Sequence, residues 1–129
     1  MDKQKIIELI VQKLEDNKDR LTEKFSGFNP LTTTKYCVLD NLLPNDVVEG
    51  IVNNFPQEKD YSFRDTFRER KYTFAKLDTL KSPICATLTD ALHSLEVVRK
   101  IGEITQISDL ESDPTLYAGG LSAMSINNF

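Results

Sequence analysis

The sequence predicts an α+β fold in which helices outweigh sheet. Two features lead to that reading. Apolar residues recur at three-, four- and seven-residue spacing on four separate stretches, which is the signature of helices with one buried face. Strand-like alternation is confined to two short segments, around residues 68–76 and 115–124. With 129 residues, 40% of them hydrophobic and 28% charged, the chain has the size of one domain and enough apolar content for a core.

Residues 2–25 form the first element. Ile6, Ile7, Ile10, Leu14, Leu21 and Phe25 draw one apolar stripe, so an amphipathic helix is expected over 1–27. Six acids and six bases leave it electrically neutral, unlike a basic helix that lies on membranes. Its expected role is packing within the scaffold. Ser26-Gly27-Phe28-Asn29-Pro30 stops it, with Gly27 suited to a left-handed terminating position. Tyr36-Cys37-Val38-Leu39 is a short β-prone run, broken by Asp40-Asn41. A second helix is predicted from Pro44-Asn45-Asp46, with Val47, Val48, Ile51, Val52 and Phe55 as its buried face and Pro56 as its end.

Residues 61–77 interleave Tyr61, Phe63, Phe67, Tyr72 and Phe74 with Arg64, Arg68, Arg70, Lys71 and Lys76. Strand alternation from Arg68 puts Arg68, Arg70, Tyr72, Phe74 and Lys76 on one face. Ser82-Pro83 opens a third helix lined by Ile84, Leu88, Ala91, Leu92 and Leu95. A fourth turns Val97, Val98, Ile101 and Ile104 inward. After a polar loop, Thr115 to Met124 reads as a strand with a bend marked by Gly119-Gly120.

Several functions are excluded by what the residues lack. The formal charge of −4 argues against general nucleic-acid binding. No run reaches the roughly 18 apolar residues needed to span a bilayer, and Glu8 interrupts the only apolar run near the start. No membrane association and a cytoplasmic address are therefore expected. Cys37 and Cys85 are too few for a disulfide framework and read as buried thiols. The five glycines form no phosphate-binding loop, and Gly120-Leu121-Ser122-Ala123-Met124 lacks the second glycine of a nucleophile elbow. Cys85 and His93 lie eight residues apart, roughly 12 Å along one helix, too far for a thiolate–imidazolium pair. His93 is the only imidazole, so a metal site of two histidines and one carboxylate cannot be assembled from this chain alone.

The best local candidate for ligand contact is therefore the aromatic and basic stretch. Residues 61–81 carry six bases against three acids, and arginines there are suited to gripping a carboxylate or phosphate. Packing as an ordinary solvated strand is the competing expectation. Stacking aromatics beside cations also suit single-stranded nucleic acid, but the rest of the chain is acidic.

Three segments in succession resemble bacterial prolyl-hydroxylase-like oxygenases that depend on 2-oxoglutarate and Fe(II). They are Tyr36-Cys37-Val38-Leu39-Asp40-Asn41-Leu42-Leu43-Pro44, Phe67-Arg68-Glu69-Arg70-Lys71-Tyr72-Thr73, and Asp113-Pro114-Thr115-Leu116-Tyr117-Ala118-Gly119-Gly120-Leu121-Ser122-Ala123-Met124. The resemblance covers residues 35–126 and rests on the order and spacing of the pieces. It implies that 1–129 is a single, partial domain, the helix-rich N-terminal portion of a double-stranded β-helix (jelly roll). Such enzymes couple oxidative decarboxylation of 2-oxoglutarate to hydroxylation of a C–H bond. Their His-x-Asp iron motif, a distal histidine and a co-substrate-binding basic residue come after the region matched here. Iron and 2-oxoglutarate are thus expected for a parent enzyme, with no catalytic, cofactor or metal residue in this fragment and no activity from it alone. Met124 offers no hydroxyl where related hydroxylases carry a tyrosine. Arg68, Arg70, Tyr72 and Tyr117 are the candidates for lining a substrate cleft. The apolar run Leu116 to Ile126, lacking an evident sheet partner, suggests self-association through the C-terminal strand. A non-enzymatic helical module that binds protein is the alternative reading.

Overall fold

The computed structural model describes residues 1–74, 76–115 and 120–126, with Glu58 described only in its backbone. Among these, five α-helices and a three-stranded antiparallel sheet are present. The α+β expectation holds at that level.

The N-terminal stripe forms two helices, where the sequence suggested one: α1 (Lys3–Asp16) and α2 (Lys18–Ser26). Asp2 caps α1, its carboxylate accepting from the Lys5 amide at 2.8 Å. The break lies at Asn17, whose side-chain amide donates to the Lys13 carbonyl at 2.9 Å. Asparagine competes with the backbone for hydrogen bonds in this way, which is why a continuous stripe need not be a continuous helix. Gly27 is extended (φ −69°, ψ 153°), so α2 does not end in the expected left-handed turn.

Residues 36–39 form no strand. Nothing among the described residues pairs with them; instead Cys37, Leu39, Leu42 and Leu43 pack their side chains against the helical core. Asn41 takes a positive φ of 54° just before the next helix, a conformation asparagine tolerates better than most residues. That helix, α3 (Asn45–Asn53), starts after Pro44 as expected, but its burial differs from the prediction. Val47 is buried, whereas Val48, Val52 and Phe55 are 42%, 64% and 42% exposed. Periodicity finds an apolar face without saying which neighbours are there to cover it.

α4 (Ile84–Leu92) and α5 (Leu95–Thr105) complete the helical body. Leu92 and Leu95, expected inward, are exposed because the chain turns at His93–Ser94 and carries both to the rim. Ser94 caps α5 through the Val97 amide. α1 packs on both α4 and α5, and α2 packs on α5. The core gathers Ile6, Ile7, Ile10 and Leu14 of α1, Leu21 of α2, Ala91 of α4, and Val97 and Ile104 of α5. Val98 and Ile101 are half-buried.

A charged clasp closes this body from outside. Lys100 of α5 donates to Glu15 of α1 and to Glu103 at 2.9 Å, and Lys18 of α2 reaches Glu103 at 3.1 Å. Lys100 and then Lys18 hold the Glu103 carboxyl below the usual carboxylate range, while Glu15 and then Glu103 push the Lys100 ammonium up. A depressed carboxyl contributes stability that is complete above its unfolded value and disappears as pH falls through the folded one. A raised ammonium contributes below its unfolded value and loses that contribution as pH rises through the folded one. The clasp therefore acts across the neutral range. Glu103→Gln should lower Tm at neutral pH, and its difference from the parent chain should shrink as pH is taken below about 4. Thermal melts of both proteins across the acid range check this.

The sheet stands apart from the helical core. β1 (Ser62–Asp65) and β2 (Arg70–Phe74) form a hairpin, and β3 (Leu121–Ala123) adds to the other edge of β2. The register pairs Phe63 with Tyr72, Asp65 with Arg70, Tyr72 with Ala123 and Phe74 with Leu121. Gly120 precedes β3 at φ 99°, a conformation that favours glycine, so the expected glycine bend is present at that residue. The C-terminal segment is therefore not without a sheet partner: β2 supplies one edge of β3. In all, the chain exposes 9435 Å². A folded monomer of 14.7 kDa would expose about 6,900 Å², leaving roughly 2,500 Å² in excess.

Candidate functional site

The 62–74 hairpin is built around its turn. Thr66 bonds its amide to the Glu69 carbonyl at 2.8 Å, and its hydroxyl accepts from the amides of Arg68 and Glu69. Residues 66–69 are thus the loop, and Arg68 sits at its tip outside the strand. The expected five-residue face from Arg68 to Lys76 reduces to Arg70, Tyr72 and Phe74. Lys76 lies beyond β2, leading into the 3-10 turn Leu77–Thr79.

The two faces of the sheet differ. Phe63, Arg70, Tyr72 and Phe74 share one face, where alternate residues of paired strands must meet. Tyr72 meets Phe63 at 4.9 Å between ring centroids, and Tyr61 packs edge-on to both Tyr72 and Phe74. The Arg70 guanidinium lies 5.8 Å from the Phe63 ring centroid and pairs with Asp65 at 3.4 Å. On the opposite face Arg64 and Lys71 stand directly across from each other. Glu69 resolves that like-charge contact, bonding both cations at 2.9 Å. Lys71 first and Arg64 second hold its carboxyl below the usual range. The sequence reading did not single out Glu69; the register, once the turn is known, is the signal that finds it.

Of the four proposed cleft residues, the sheet brings only Arg70 and Tyr72 onto one face. Arg68 has no carboxylate partner among the described residues and lies over the Phe67 ring at 5.1 Å, with Phe67 87% exposed. Tyr117 lies outside the described residues. A cleft of about 430 Å³ opens between the end of α3, the end of β2 and the start of α4. Phe55, Pro56, Lys59, Phe74, Leu80 and Lys81 are among its walls, but none of Arg68, Arg70 and Tyr72 is.

Nucleophiles and metal ligands are not brought together. Cys85 is buried, and burial pushes its thiol up, so it stays protonated and inert. The same burial, and then the charge Cys85 would bear, push the nearby Tyr61 hydroxyl up. Cys37 is half-buried and, like Cys85, carries a free thiol. His93 ends α4 beside Leu95 and Glu111, at the far end of that helix from Cys85. Among the described residues no three His, Cys, Asp or Glu side chains converge. The donor set does not fit a ferrous centre, because one imidazole cannot supply two histidine ligands.

No family model matches the chain, nor does any curated protein or solved structure. The likeness to oxygenases therefore rests on the three sequence segments alone. No helix among the described residues is long and apolar enough to cross a membrane.

Proposed function

We propose that this chain is the N-terminal segment of a prolyl-hydroxylase-like oxygenase dependent on 2-oxoglutarate and Fe(II), acting in the cytoplasm and inactive as these 129 residues. The observation that carries the reading is the position of β3. β3 (Leu121–Ala123), which directly follows in sequence the Leu116–Gly120 stretch that resembles the lead-in to the catalytic β-helix, lies as an edge strand on β2, the strand of the second resembling segment. Its outer edge has no partner among the described residues, so further strands can add there. The excess of roughly 2,500 Å² also suits a wall of a larger unit. Iron ligands must come from outside this sequence, and no chemical step is assigned to its residues. In the parent enzyme Arg70 and Tyr72, which share one sheet face, are the residues of this chain offered to the substrate.

A second reading, a non-enzymatic interaction module, is favoured by the bare stripe on α3. Reading the coding frame past Phe129 separates the two. The oxygenase reading expects a His-x-Asp motif within about ten residues, supplying two of the three ligands of a facial triad. A stop codon there sinks it and leaves the module.

A further inference from the structure

α3 is apolar on two sides. Val47 is buried, and a Cβ on Gly50 would meet the Ile84 side chain at 3.1 Å, so this side is docked on α4. Val48 and Val52, four residues apart, run along another side and remain exposed, as does Phe55 just past the helix end. Beside them stands Glu49, three residues before Val52; the helix has no base, and among the described residues Glu49 meets no cation within ion-pair distance. The hairpin has the opposite character. Residues 62–74 carry four bases against two acids; Arg64, Arg70 and Lys71 are paired with those acids, which leaves Arg68, and Phe63 and Phe67 are exposed. Arg68 at the tip is held by a ring and, among the described residues, by no carboxylate. These two surfaces approach each other at the cleft that both the end of α3 and Phe74 line.

We propose that α3 and the hairpin together form a self-complementary surface on which a second copy of this chain docks, each α3 lying on the other copy's hairpin. The free charges are complementary, Glu49 on the helix to Arg68 on the loop, and both patches offer apolar side chains for burial. A twofold arrangement satisfies both patches of both copies and closes at two, whereas one-sided docking would leave one of each bare. The inference does not rest on the oxygenase reading, and it uses a surface other than the β3 edge.

Sedimentation equilibrium of the 129-residue chain at low and high salt tests it, with far-UV circular dichroism checking that each variant is folded. The expected result is a dimer that weakens as salt rises. Val52→Glu should abolish it; the position is exposed, so the fold should be unaffected. Glu49→Arg should weaken dimerisation about tenfold, and Arg68→Glu in the same chain should recover most of that loss. A chain that stays monomeric at about 200 µM overturns the proposal. So does a dimer unchanged by Val52→Glu and by Glu49→Arg, which would place the contact at the β3 edge or elsewhere.

Discussion

Ile6→Ala should destabilise the protein by about 2–5 kcal/mol, a large share of the roughly 5–15 kcal/mol that holds a domain folded. Ile6 is fully buried on α1, within the cluster that α1 builds with α2, α4 and α5. Truncation removes three carbons and leaves a cavity that neighbours on four helices close only in part. Chemical denaturation followed by circular dichroism measures the loss. Leu31→Ala is the control: Leu31 is 93% exposed, and its truncation should change stability by no more than about 0.5 kcal/mol.

Ala91→Leu should also destabilise, by about 1–3 kcal/mol, for the opposite reason. Ala91 is fully buried on α4 in the same cluster, where its small side chain fits the space between packed helices. A leucine there must displace neighbours or leave its preferred rotamer. The two substitutions together test packing. A well-packed core is harmed by both a smaller and a larger residue, whereas a loose collapsed one tolerates the larger. The same denaturation measurement distinguishes these outcomes.

Much of the helical body was legible in the sequence because it follows local rules. Ile6, Ile7, Ile10 and Leu14 repeat at helical spacing and are buried; Val97 and Ile104 do the same in α5. What escaped depended on tertiary context or on competing hydrogen bonds. Asn17 splits a continuous stripe by bonding back to Lys13. Tyr36–Leu39 has strand-like residues but, among the described residues, no strand to pair with. The hairpin turn is organised by the Thr66 hydroxyl, not by the glycine, asparagine or aspartate that usually announces one, so Arg68 was assigned to a strand it precedes.

The candidate site was legible as composition and not as geometry. An aromatic and basic stretch was evident at 61–77, but its cations were counted as available. Arg64, Arg70 and Lys71 already hold carboxylates, in pairs that only the strand register brings together. Arg68 pairs with no carboxylate among the described residues. The excess surface could not be read from residues at all, since it depends on how much of each apolar face finds a neighbour.

If the chain is one wall of an oxygenase, iron binding and 2-oxoglutarate turnover should belong only to a longer product of the same reading frame. The measurement is anaerobic Fe(II) binding followed by succinate release, made on the 129-residue chain and on the protein extended past Phe129. The account predicts one tightly held iron and succinate from the extended protein, and neither from the shorter chain. Iron and succinate from the 129 residues alone, or from neither protein, would contradict it.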